Sequence, residues 1–305
     1  MTRYIARRLL EFIPVLFIIM TLTFFMVRLA PGGPFDADKR VSPEAQQRLE
    51  AHYRLDAPLL VQYWEYMRGV FRGDLGPSFR KSSRSVNEWI LLRLPVSLEL
   101  GAYALVVALV LGIGAGLLAA MRPNSAMDHG TMALGMAGIC IPNFVLGPLL
   151  VLVFSLWLGR LPVAGWRSAA DKVLPSLTLG AMYAAYIARL TRAGMLETLS
   201  RDFIRTARAK GMSEARVLLR HALPGGIQPT IAFLGPATAG LLTGSFVVET
   251  IFQVPGLGRE FVESAFNRDY TMISGTVLVY AVLVMALNLA SDIACAWLDP
   301  RIRHT

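Results

Sequence analysis

Six long apolar runs divide the chain, at about Leu9 to Leu29, Leu98 to Ala120, Thr131 to Leu158, Val173 to Met195, Ile227 to Val248 and Met272 to Leu298. Each reaches or exceeds the ~20 residues with which a helix crosses the hydrocarbon core. The pattern therefore predicts an all-α, polytopic membrane protein with six transmembrane helices. Two polar stretches interrupt it: Pro31 to Pro95 after the first run and Ser200 to Pro224 between the fourth and fifth. The expected organisation is an N-terminal tail with the first span (1–30), a helical insert (31–97), a five-span core (98–299) that includes the loop 200–224, and a short tail (300–305).

Inside the insert, Ser42-Pro43-Glu44 reads as a helix start, and Leu60, Tyr63, Met67, Val70 and Phe71 share one face of a second helix. Ser85 and Glu88 have capping-box spacing before a third. Gly73-Asp74-Leu75-Gly76-Pro77-Ser78 between them is turn chemistry. In the loop 200–224, SRDFIRTARAKGMSEARVLLRHALP, Ser200 stands as a helix N-cap, Gly211 closes the helix, and Ser213 caps a second short run that ends at Pro224. The reading is helix, glycine bend, helix. This basic knuckle either fits a groove on another protein or only holds the loop on the cytoplasmic side.

Charge fixes the orientation. MTRYIARR precedes the first run, Arg301 and Arg303 follow the last, and the insert carries ten Lys or Arg against eight Asp or Glu, without a net basic bias typical of a cytoplasmic loop. Both termini and the knuckle are expected inside and the insert outside. The first run is too long for a signal peptide, and Arg28 sits where a small-residue cleavage site would lie. Composition agrees with a membrane protein: of 305 residues 54% are hydrophobic and only 17% charged, with a mean hydropathy of +0.50. The net charge of +9 lies in short segments beside apolar runs, and no nucleic-acid motif accompanies it. Cys140 and Cys295 fall in apolar runs and imply neither a disulfide nor a metal site.

Gly112, Gly116 and Ala120, and again Gly240 and Gly244, repeat at intervals of four and form small faces on which helices approach closely. Such a face is a candidate for contact with a second chain. Pro142, Pro148 and Pro236 fall inside apolar runs, where each marks either a pore-facing break or a kink. Phosphate-loop, zinc-protease and nucleophile-elbow motifs are missing from the sequence, so the chain is not expected to be an enzyme. Glu11, Arg28, Glu99, Arg189 and Glu249 fall near the ends of the apolar runs, where snorkelling is cheap, and Asp292 lies deeper with Asn288 one turn away. That distribution argues against an ion-coupled carrier, which needs an ionisable site at the midplane. A non-transporting scaffold would explain the insert and the knuckle equally well.

Several segments together resemble the B-type permease subunit of oligopeptide ABC importers. They are YIARRLLEFIPVLF near the start, FFMVRLAPGGPF from Phe24, GDLGPSF from Gly73, RTARAKG from Arg205, RHAL from Arg220, ETIFQVPGLG from Glu249, NRDY from Asn267 and DPRIR from Asp299. The resemblance implies a bacterial inner-membrane complex: this chain, a homologous second permease, two ATPase subunits that hold ATP and Mg, and an extracytoplasmic peptide-binding protein. No cofactor is implied for this chain. It further implies that Arg205, Thr206, Ala207, Arg208, Ala209, Lys210 and Gly211, with Arg220 and His221, form the ATPase-coupling loop. Gly211 and Ala207 match the general importer pattern, Arg205 and Thr206 depart from its first two positions, and either Leu223-Pro224 or Pro229 matches its closing Leu-Pro. Closure of the ATPases around ATP would move this loop and lever the adjoining spans.

Overall fold

The computed structural model describes residues 2–35, 51–81 and 83–298. Helices α1 (Thr2–Leu29), α2 (Leu59–Phe71), α3 (Val86–Met121), α4 (Ala126–Cys140), α5 (Asn143–Leu150) and α6 (Ala169–Leu199) form the first part of the chain. They are followed by α7 (Asp202–Ala209), α8 (Glu214–Arg216), α9 (Leu223–Gly226), α10 (Gln228–Thr243), α11 (Ser245–Ile251), α12 (Leu257–Phe266) and α13 (Tyr270–Leu298). Two π-helical segments, Val151–Trp157 and Val217–Ala222, continue α5 and join α8 to α9. Among the described residues the only strand-like pairing is one bridge between Pro77 and Ser85. Four helices, α1, α3, α6 and α13, are long and apolar enough to cross a membrane, and the number reaches six if each of two bent pairs is one span. The helix start at Ser42 and the tail from Asp299 lie outside the described residues.

Three apolar runs differ from the straight spans that hydropathy suggests. The third is broken: Ile141 is extended, with φ −85° and ψ 114°, Pro142 opens α5, and α5 leaves α4 at 111°. The cause is local, because a residue before proline is pushed out of the helical basin. The fifth breaks at Gly244, where α10 and α11 meet at 41°. The second run begins earlier than expected. Reciprocal bonds between Ser85 and Glu88 open α3, which then continues through Pro95 to Met121, so the third insert helix and the second span are one helix.

The chain divides into two compact units, Met1–Ser97 with Pro255–Met285, and Leu98–Val254 with Ala286–Thr305. In the first, α2 lies on α1 through its more polar side. Tyr63 stacks on Phe25 at 5.5 Å and meets the Thr21 hydroxyl at 2.8 Å, and Gln62 accepts from Arg28 at 2.9 Å. The face expected from Leu60, Tyr63, Met67, Val70 and Phe71 is met in part: Met67 is buried and Tyr63 packs on α1, but Leu60 and Phe71 are exposed. Gln62 is buried as well, since its amide accepts from Arg28 and donates to the Leu55 and Ala57 carbonyls. Burial pushes the neighbouring Tyr66 hydroxyl up to about 12, against the pull of the Arg28 cation.

In the second unit, α3 and α6 pack side by side. A Cβ on Gly180 would come within 2.6 Å of the Ala104 carbonyl, one on Gly112 within 2.7 Å of Ile187, and one on Gly116 within 2.6 Å of Thr191. The contacts advance together along both helices, so α3 and α6 run in the same direction. Helix α10 runs opposite to α6: Thr230 meets Thr191 at 2.9 Å, and Phe233 lies 5.9 Å from the Tyr186 ring. Glu249 does not snorkel. It is fully buried and accepts a 2.7 Å bond from Ser245 one turn earlier on α11.

Candidate functional site

The knuckle is built where α6 ends. Ser200 does not act as an N-cap. It is the C-cap residue of α6 and its hydroxyl donates back to the Glu197 carbonyl at 2.7 Å, because its backbone is helical rather than extended. The extended residue before α7 is Arg201, which makes no side-chain cap bond, and Asp202 places a carboxylate in the first turn. At the other end, Gly211 donates to the Arg208 carbonyl at 2.9 Å and Met212 to the Ala207 carbonyl at 3.4 Å, with Gly211 at φ +74°. That is a Schellman ending, and Met212 just beyond it packs against the buried cluster that includes Ala207. Ser213 occupies the N-cap position of α8 with an extended backbone, but its hydroxyl makes no cap bond.

The second arm is longer than its sequence suggests. Helical backbone continues from Glu214 through the π-helical segment and past Pro224 to Gly226, and Pro229 sits in the first turn of α10. A proline removes one helical N–H and crowds the preceding turn, and the wider π-helical turn just before Pro224 gives the ring room. The arm therefore does not end at Pro224.

Two residues seat α7 on the membrane core. Ile204 and Ala207, one turn apart, are buried with Ala120 of α3, Met195 of α6, and Val217 and Ala222 of the second arm. Helix α7 is thus fixed to the ends of both parallel spans at once. Arg205, Thr206, Arg208, Ala209, Lys210, Gly211 and Arg220 are exposed, and His221 is half-buried. The outer surface carries Arg201, Arg205, Arg208, Lys210, Arg216 and Arg220 against the carboxylates Glu197, Asp202 and Glu214. Arg208 bridges the bend through two bonds to Glu214, at 2.8 and 3.2 Å. Phe203 and Leu219, 48% and 61% exposed, add apolar surface among these cations. Sequence reading missed both. The available signal was an apolar residue at a position that the buried Ile204 and Ala207 leave facing outward.

The glycines expected to mediate packing do so within the chain at three of four positions. Gly112 and Gly116 lie against α6, and a Cβ on Gly240 would come within 2.1 Å of the Tyr183 hydroxyl. At Gly244 the nearest atom is the Gly240 carbonyl of the preceding turn. These contacts leave Gly112, Gly116 and Gly240 occupied by this chain rather than free for a second one.

A second cluster of sequence motifs meets in the first unit. Asp269 of NRDY is 2% exposed and accepts from Ser78, from the Phe79 backbone at 3.2 Å and from the Met272 backbone at 3.2 Å. The Tyr270 hydroxyl donates to the Gly32 carbonyl at 3.1 Å, and Arg80 donates to the Pro34 carbonyl at 2.6 Å. The PGGPF, GDLGPSF and NRDY segments are therefore one hydrogen-bonded knot around a buried carboxylate. Lys81 pairs with Glu260, which is 3% exposed, beside Arg93 at 3.7 Å from the same carboxylate.

On α6, Arg192 and Arg189 differ sharply. Arg192 grips the buried Asp128 of α4 through two bonds at 2.6 and 2.7 Å. Arg189 is exposed, and α6 continues past it and past the end of its apolar run to Leu199.

Residues 112–304 match the family described as binding-protein-dependent transport system inner membrane component, and residues 1–101 match its N-terminal companion. The oligopeptide transport system permease protein OppB of Escherichia coli is 44% identical over 306 residues, covering 100% of both chains. The dipeptide transport system permease protein DppB of Bacillus subtilis is 43% identical over 99% of this chain and 98% of its own. Among solved structures, the MetNI methionine ABC transporter superposes with a TM-score of 0.57 at 19% identity, over 69% of this chain and 97% of that one. An amino acid ABC transporter superposes with a TM-score of 0.52.

Proposed function

The chain belongs to the family of binding-protein-dependent transport system inner membrane components, and from that membership we propose that it is one permease of a peptide ABC importer. It is a multi-pass protein of the bacterial inner membrane and does no catalysis itself. With a homologous second permease it forms the path for peptides that an extracytoplasmic binding protein delivers. Two ATPase subunits, which hold ATP and Mg, drive the cycle from the cytoplasmic face. Both termini and the knuckle lie on that face, and the insert 31–97 lies outside.

The observation that carries this reading is the 44% identity to an oligopeptide permease along the full chain. The knuckle supplies a means of coupling. Short helices transmit displacement, and α7 is seated through Ile204 and Ala207 on the ends of α3 and α6 together. A push on Arg205, Arg208 or Phe203 would therefore reach two spans. Their exposed arrangement, apolar anchors among arginines, suits a protein groove better than open water. The scaffold alternative makes no use of this seating. The test is purification of the complex from its native membrane, reconstitution, and measurement of peptide uptake. ATP-dependent uptake that disappears when this chain alone is omitted supports the reading; a complex without an ATPase subunit, or uptake that follows a proton gradient, overturns it.

A further inference from the structure

On the peptide reading above, we propose that Arg189 binds the C-terminal carboxylate of a peptide in transit, in the cavity between α4, α6 and α10. The cavity has a volume of about 560 Å³ and is lined by Met132, Met136, Tyr186, Arg189, Arg192 and Phe233 among others. No carboxylate lines it. Of its two cations, Arg192 is already neutralised by both oxygens of Asp128. Arg189, one turn earlier on the same helix, has no ionic or hydrogen-bonding partner among the described residues. Arg189 lies within the fourth apolar run, beside apolar surface and without an anionic neighbour, where a guanidinium is suited to an anion that visits it.

The surroundings state what kind of anion. Tyr186 and Phe233 set two rings 5.9 Å apart, and Met132 and Met136 offer flexible thioethers that adapt to side chains of many shapes. An importer of varied peptides meets few constant groups, and the terminal carboxylate is one of them. Guanidinium matches a carboxylate with two parallel bonds, so one arginine in an adaptable apolar cavity can read what all such substrates share and ignore the rest.

The experiment compares uptake of a peptide with a free C-terminal carboxylate and of its C-terminal amide, in reconstituted complexes holding both permeases, the ATPases and the binding protein. The wild-type complex should favour the free acid. Arg189→Gln should lower uptake of the acid about tenfold and leave the amide unchanged, so that the ratio falls toward one. Arg189→Lys should keep most of the preference by retaining the charge. An unchanged ratio in the Gln variant overturns the inference, and so does equal loss for both peptides, which would give Arg189 to a partner chain. A loss for both peptides that depends on anionic phospholipid in the vesicles also overturns it, in favour of a lipid headgroup. Absence of any peptide uptake by the wild-type complex would remove the peptide reading itself, and this inference with it.

Discussion

At single positions, two glycines with opposite surroundings separate backbone from packing effects. Gly211 has φ +74°, and a Cβ there would meet nothing within 4 Å. A side chain at this site is therefore opposed only by the left-handed backbone, at a cost of about 1–2 kcal/mol for a β-branched residue. Gly211→Val should let the complex assemble but reduce peptide uptake per ATP hydrolysed, whereas Gly211→Asn, which tolerates that conformation, should stay close to wild type. Equal coupling ratios in all three would show that the bend has no coupling role. Gly116 is the converse case. Its backbone is ordinary helix, but a Cβ would lie 2.6 Å from the Ala188 carbonyl and from Thr191. Gly116→Ala should destabilise the chain by about 1–3 kcal/mol, read as a lower melting midpoint in detergent. Gly114 on the same helix has nothing within 4 Å of its Cβ position, so Gly114→Ala should leave the midpoint unchanged. The repeat of small residues was legible in the sequence. Which helix filled it was not, because spacing alone does not say whether α6 or another chain lies opposite.

At the scale of an element, the knuckle shows which signals are local. The helix end at Gly211 was readable because such an ending is encoded within a few residues. Ser200 misled because the same residue type serves at either end of a helix, and only the backbone conformation, here helical, decides. Pro142 was readable as a break, but its size was not: the 111° bend depends on Ile141 being driven into extended backbone and on where the next helix packs. Pro224 suggests an end, yet a π-helical segment leads into α9, which carries the helical backbone past it, and hydropathy holds no trace of such a turn. The bridge from Arg208 to Glu214 gives a prediction for this element. Both side chains are largely exposed, at 44% and 63%, so the pair should contribute only about 0–1 kcal/mol. Glu214→Gln should then change neither stability nor coupling appreciably. Arg208→Gln removes the same bridge and also a cation from the outer surface, and should lower peptide-stimulated ATP hydrolysis several-fold if that surface meets an ATPase. Identical behaviour of the two variants would leave the arginine with only its intramolecular bond.

At the scale of the whole molecule, the direction of the helices constrains the number of crossings. Contacts at Gly180, Gly112 and Gly116 advance together along α3 and α6, so these two spans point the same way. A chain that leaves one and enters the other in the same direction must return across the membrane between them. Only α4 and α5 lie between, and the bent pair therefore has to make that return despite its 111° break. Helix α10 runs opposite to α6 and so leads back from the side where the knuckle lies. This supports a crossing by the bent pair between those of α3 and α6, with the ends of α3 and α6 that seat the knuckle on one side and the Ser85 end of α3 on the other. The charge bias assigns the knuckle side to the cytoplasm. Thiol labelling decides between this arrangement and its inverse. In a background carrying Cys140→Ala and Cys295→Ala, single cysteines are placed at the exposed residues Ser83 and Ser213. A membrane-impermeant maleimide added to intact spheroplasts should modify Ser83→Cys and spare Ser213→Cys, and both should react once the membrane is opened. Labelling of Ser213→Cys in intact cells would place the knuckle outside, where no ATPase could reach it. Labelling of both sites in intact cells would mean that an odd number of crossings does not separate them, and the return through α4 and α5 would then have to be abandoned.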